Sequence, residues 1–204
     1  DAPARPAPRP VDDRTFRTLL SHYHYDRTPL DARVTAVQDA PDWTRERLSY
    51  LGAGGVRASA YLYLPKKAAR PLQVVHYVPS DAVIYGLTAA EEVEALLTPI
   101  VRAGRAVFTV INQGFSERPF QTPDRRPDVA SVRYREVLVQ RAIDLQRGID
   151  YLTTRPDLDA SRIAAFGTSI WSSELFPFAV ERRYRSIVLL AAGMPATEAR
   201  ALPE

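Results

Sequence analysis

The chain's 204 residues suffice for one sizeable core, and its 46% apolar and 25% charged content is that of an ordinary globular domain. A net charge of +3, with basic residues scattered among acidic ones, makes no stripe for nucleic acid, so no nucleic-acid partner is expected. Without cysteine there is no disulfide, thiolate catalysis or cysteine-based zinc site, and no apolar run approaches ~18 residues, so no direct membrane insertion is expected.

Residues 1–11, which open DAPARPAPRP, offer nothing to bury and read as an extended linker. A start at Asp1 with no charged-then-apolar leader predicts a piece of a longer polypeptide, with residues 12–204 forming one domain. Over 12–25, Phe16, Leu19, Leu20 and Tyr23 recur at helical spacing, which predicts a short amphipathic helix. Two strand-like runs follow, at 44–51 and 56–64, divided by Gly52, Gly54 and Gly55. In the second, Val56, Ala58, Ala60, Leu62 and Leu64 alternate, as in an antiparallel hairpin.

From residue 73 the pattern changes. QVVHYV (73–78) is a continuous apolar strand of the kind buried on both faces. Thr88 and Glu91 form a capping box at the head of a helix that carries Val93, Leu96, Leu97, Ile100 and Val101 and ends at Gly104. Glu91, Glu92 and Glu94 read as its first turn, facing water. RAVFTVIN (105–112) is the next buried strand, followed by a polar loop over 113–128. A helix over 129–153 presents Val132, Leu138, Ala142, Leu145, Ile149 and Leu152 as its inner stripe. A short third buried strand at 162–166, a helix at about 170–182 and a fourth buried strand at 186–192 complete the pattern. Strands alternating with helices in this way predict an α/β fold: a mostly parallel sheet with an N-terminal antiparallel hairpin and flanking helices.

Gly167-Thr168-Ser169-Ile170-Trp171 lies where the third buried strand turns into a helix. A G-x-S-x-G turn displays a serine nucleophile and needs small flanking residues, because strand and helix backbones pass close together there. This sequence has Gly167 on one flank and Trp171 on the other. In an open α/β sheet, ligands bind beyond the carboxyl ends of the strands. Topology brings three segments to that edge: residues 79–82, the 113–128 loop and the Ser169 turn.

The segments YDRTPL (25–30), AYLYLP (60–65), VVHYVP (74–79), RAGRAV (102–107), residues 144–156 and RIAAFGTS (162–169) resemble an α/β-hydrolase. Within that superfamily they resemble the dienelactone-hydrolase and prolyl-oligopeptidase branch, and the hydrolase-like domain attached to bacterial Ser/Thr protein kinases. The resemblance implies that Ser169 is the nucleophile of an esterase-type reaction on a small ester or acyl substrate, with no cofactor and no metal. It implies the backbone N–H of Ile170 as one oxyanion donor and that of Ser80 or Asp81 as the second. It also makes Phe115 and Phe120 the shapers of the substrate pocket.

The chain departs from that pattern after the serine. In this fold the acid and the histidine follow the nucleophile, yet His22, His24 and His76 all precede Ser169. His76, inside a strand, reads as a hydrogen-bonded core residue; His22 and His24 fall on different helical faces and lack a third metal ligand. Glu198 has no histidine to orient. The expectation is a fold truncated at its C-terminal side, with self-association through the sheet edge left at 186–192. Ser169 also has a plain reading as a helix N-cap, and Asp81 as the side chain that closes an Asx turn or as one aimed into the cleft. Glu117 and Arg118 read as a solvated loop or as contacts to a polar substrate. The rival to an esterase is a non-catalytic hydrolase-like sensor or interaction module of a bacterial signalling protein.

Overall fold

A computed structural model describes residues 10–120, 128, 130–169 and 181–192. Among these, helix α1 (Asp13–Ser21) is followed by strands β1 (Arg33–Asp39), β2 (Trp43–Leu51), β3 (Arg57–Pro65) and β4 (Leu72–Val78). Helices α2 (Ala89–Leu96) and α3 (Thr98–Arg102) lead to strand β5 (Ala106–Ile111) and the long helix α4 (Val132–Thr154). Strands β6 (Leu158–Thr168) and β7 (Tyr184–Leu190) complete the described elements. The strands form one sheet in the order β1-β2-β3-β5-β4-β6-β7. β4, β5, β6 and β7 are mutually parallel, and β1, β2 and β3 pair antiparallel at one side.

The hairpin predicted around the glycines is β2–β3, with Leu51 opposite Arg57 and the turn closed through Gly54 and Gly55 at positive φ. Ala58, Ala60, Leu62 and Leu64 face the α4 side of the sheet, while Tyr61 and Tyr63 face α2 and α3. Val56 lies outside the strand and is exposed. Central β4 and β5 are buried on both faces, which is why their sequences run apolar without alternation. On one side Leu145, Ile149 and Leu152 of α4 cover Val74, Phe108, Ile163 and Ala165. On the other, Val93, Leu97 and Val101 cover Val75, Tyr77 and Val107. Gly148 lets α4 approach closely, since a Cβ there would stand 2.7 Å from Cε1 of Phe108.

Four elements differ from the sequence expectation. The single helix predicted after Thr88 is two, because Pro99 has no N–H to donate and its ring opposes a continuous helix. The capping box itself is present, with Thr88 Oγ1 accepting from the Glu91 N–H at 3.1 Å. Helix α4 begins at Val132 behind the cap Ser131, so Val132 lies in an end turn and is 60% exposed, not on the inner stripe. That stripe instead includes the buried charges Arg141, Asp144 and Arg147. Strand β1 carries no apolar alternation and is exposed along its length, which hides it from pattern reading. β7 was expected to be buried, yet Ile187 to Leu190 are 41–59% exposed, because among the described residues no element covers that side of the sheet. The helix expected over 170–182 lies, to residue 180, outside the described residues.

Candidate active site

Hydrogen bonds from the parallel strands bring three chain reversals to one edge. β6 is held in register by β4 and β7, with Gly167 opposite both Val78 and Leu189. Immediately after it, Ser169 adopts φ +65°, a left-handed conformation that a residue with a Cβ rarely takes. Such backbone persists only where its surroundings over-determine it, and it concentrates at functional sites. Ser169 Oγ stands 3.5 Å from Asp81 Oδ1. Ser169 and the residue 79–82 turn therefore meet across the sheet edge, 88 positions apart in sequence.

Ser80 caps the short 3-10 turn Asp81–Ile84, its Oγ accepting from the Ala82 N–H at 3.2 Å. The capping role considered for Asp81 thus belongs to Ser80, and the Asp81 carboxylate is released toward Ser169. The Ser80 N–H donates to Glu92 Oε1 at 2.8 Å, which corrects its expected place as an oxyanion donor: a buried carboxylate already holds it. Of the two backbone donors considered there, the Asp81 N–H is the one left without an acceptor among the described residues. Ile170, the other expected donor, and Trp171 and Glu198 lie outside the described residues.

Glu92, expected to face water, is 2% exposed. Its Oε1 also accepts from the Tyr77 hydroxyl at 2.8 Å, and Tyr77 lies 2.9 Å from Thr168 Oγ1. Burial, and then the neighbouring Glu92 charge, hold the Tyr77 hydroxyl well above the usual tyrosine range, so it remains a donor.

The loop after β5 is stitched to the same edge. Gly114, at φ +95°, reverses the chain so that Phe115 drops into the α2-side core, where it is 2% exposed. Phe115 is therefore a packing residue and not a pocket wall. Phe120 is half-buried and lies over Gly114, with the Arg133 guanidinium 6.0 Å from its ring. The Ser116 N–H donates to Val83 O at 2.7 Å and its hydroxyl to Leu87 O at 2.8 Å.

Glu117 accepts from the Ala89 N–H at the start of α2 and from the Tyr61 hydroxyl. Burial, with the Glu117 bond second, pushes that hydroxyl up to about 12. Arg118 pairs at 2.9 Å with Asp144, whose side chain is fully buried. Burial raises the Asp144 carboxyl above its ordinary value despite Arg118 and the Ala53 N–H, which oppose that rise. Glu117 and Arg118 are thus structural ties, neither solvated nor positioned as free substrate contacts.

His76 is buried on β4, its Nδ1 2.7 Å from the Tyr184 hydroxyl and its ring edge-on to Phe108. Among the described residues no three His, Asp or Glu side chains gather closely enough to hold a metal ion, and no helix is long and apolar enough to cross a membrane.

No protein-family model matches the chain, and no curated protein does. Solved structures do. A glucuronoyl esterase from Solibacter usitatus superposes with a TM-score of 0.57 at 18% identity, over 87% of this chain and 59% of its own. An acetyl xylan esterase from Thermoanaerobacterium sp. JW/SL YS485 gives 0.61 at 12% identity, over 87% and 58%. An acetyl xylan esterase from Paenibacillus sp. R4 gives 0.55 at 24% identity, over 79% and 52%. The chain thus spans between half and three-fifths of the length of these structures. With its mixed seven-stranded sheet, flanking helices and these esterases as structural neighbours, the chain has the α/β-hydrolase fold.

Proposed function

We propose that this chain is the nucleophile-bearing part of a serine esterase that removes acyl groups from a small, hydroxyl-rich ester, as the esters of a carbohydrate are. The observation that carries the reading is Ser169, held at φ +65° at the carboxyl end of β6 within reach of the turn that follows β4. The structural neighbours named for acetyl xylan and glucuronoyl ester cleavage support the substrate class. In this reading Ser169 Oγ adds to the ester carbonyl carbon, its proton passes to a base, and the alcohol leaves with that proton. Water then adds to the acyl-serine, releasing the carboxylic acid and restoring Ser169. The Asp81 N–H, with that of Ile170, supports the oxyanion. No histidine follows Ser169 within these 204 residues.

One observation favours a second reading, a non-catalytic hydrolase-like module of a bacterial signalling protein such as a Ser/Thr kinase. The Asp81 carboxylate stands beside the Ser169 hydroxyl, where negative charge opposes an oxyanion. A fluorophosphonate probe on the intact protein separates the two. Labelling that disappears in Ser169→Ala is expected for the esterase; absence of labelling, or labelling that survives the substitution, rejects it.

A further inference from the structure

Glu92 is a buried carboxylate without a cation among the described residues, and its Oε2 has no hydrogen-bond partner. An unpaired buried carboxylate oxygen is costly, and an orphan in a native fold calls for an explanation. Its position on α2 supplies one. Oε1 accepts two bonds from two different parts of the site: the Ser80 N–H at 2.8 Å and the Tyr77 hydroxyl at 2.8 Å. Tyr77 has one hydroxyl proton, which goes to the carboxylate, so its oxygen accepts from Thr168 Oγ1 at 2.9 Å. A continuous path therefore runs Thr168 O–H to Tyr77 O–H to Glu92 Oε1, with the Ser80 N–H arriving from the other side.

The two ends of that path are the residues next to Asp81 and Ser169. Apart from the long Ser169–Asp81 contact, the path crosses a gap that backbone pairing does not: β4 and β6 are paired up to Val78 and Gly167, and both turns begin beyond that point. We propose that Glu92 is a positioning residue that, with Tyr77, clamps the oxyanion-donor turn to the nucleophile turn. The role rests on the esterase reading of Ser169. A carboxylate suits it because a single oxygen takes two donors and holds both short, where a neutral side chain would hold them more weakly.

The test uses Tyr77→Phe, Glu92→Gln and Glu92→Leu in the intact protein, with two readouts. Amide hydrogen exchange at Ser80 reads the clamp directly. Glu92→Leu, which removes the acceptor, is expected to speed it by about tenfold or more, Glu92→Gln less, and Tyr77→Phe not at all. Ester turnover reads the consequence: kcat about tenfold lower in Glu92→Leu and Tyr77→Phe with KM unchanged, and partial rescue in Glu92→Gln. Should Glu92→Leu not fold, Glu92→Gln carries both readouts and Tyr77→Phe the turnover. Wild-type exchange at Ser80 in both Glu92 variants overturns the clamp, as does unchanged kcat in an active enzyme whose Ser80 exchange has risen. If the wild type fails to react at Ser169, the esterase reading falls on its own, and the Ser80 exchange alone then decides whether Glu92 holds the Ser80 turn.

Discussion

His76 makes the chain acid-sensitive between pH 7 and pH 5. Its imidazole is fully buried, and burial, with the Arg183 charge second, depresses its pKa from 6.5 to about 3. For a base whose folded value is depressed, the unfolded chain takes up the proton first, so stability is lost as pH falls below the unfolded value. Between pH 7 and 5 the unfolded imidazole gains about three-quarters of a proton and the folded one almost none, a loss of about 2 kcal/mol. The carboxylates held low by cations, such as Asp157 beside Arg155, lose their contribution only at lower pH, from their unfolded value of 3.8 down through the lowered folded value.

The assay is urea unfolding at both pH values for the wild type and His76→Phe, whose ring fits the edge-on contact with Phe108. Leaving the Tyr184 hydroxyl without His76 costs about 1–3 kcal/mol, but that offset does not depend on pH in this range. The wild-type midpoint is expected to fall by about 1 M more than the variant's on going from pH 7 to 5. Parallel falls in the two proteins would refute the reasoning.

Three further outcomes follow from the packing. Arg118→Met leaves Asp144 buried without its cation and is expected to cost about 3 kcal/mol at pH 7. Because the Asp144 pKa is already raised and rises further there, this deficit should shrink on acidification; a deficit that grows contradicts the assignment. Gly148→Ala gains about 1 kcal/mol of helix propensity but forces a Cβ to 2.7 Å from Phe108, so a lower Tm is expected by calorimetry. The exposed run Ile187 to Leu190 on β7 should make the isolated chain self-associate. Val188→Lys is then expected to abolish the concentration dependence in sedimentation, and a wild type that stays monomeric rejects the idea.

What the sequence made legible follows from where burial is symmetric. β4 and β5 announce themselves because both faces are covered, and the Gly52, Gly54 and Gly55 turn defines the hairpin. β1 is an exposed strand held by backbone pairing with β2 and by polar contacts such as Lys66 to Asp39, and neither leaves an apolar pattern. Within the site, Gly167 and the preceding strand point to Ser169 as a candidate, whereas the buried place of Glu92 was not legible. A signal existed: Glu92 lies three positions after Ala89 and beside Val93, on the stripe that α2 buries. A charge on such a stripe reads as a solvated first turn, because its two donors come from β4 and the turn after it. Phe115 shows the converse error, an aromatic on a polar loop that the Gly114 reversal returns to the core.

Asp81 is the residue on which the two functional readings meet. Its N–H has no acceptor among the described residues, while its own carboxylate stands 3.5 Å from Ser169 Oγ. A unit charge about 4 Å from a developing oxyanion opposes it by up to about 4 kcal/mol in partly screened surroundings, or about a thousandfold in rate. Asp81→Asn removes that charge and keeps the side-chain shape and the backbone donor. For a serine esterase this substitution is expected to speed fluorophosphonate labelling of Ser169 by at least about tenfold. Slower labelling would mean that the carboxylate assists the attack by taking the serine proton. Labelling seen only in the variant would mark Ser169 as a nucleophile position that Asp81 keeps silent, the outcome that favours the signalling module over the enzyme.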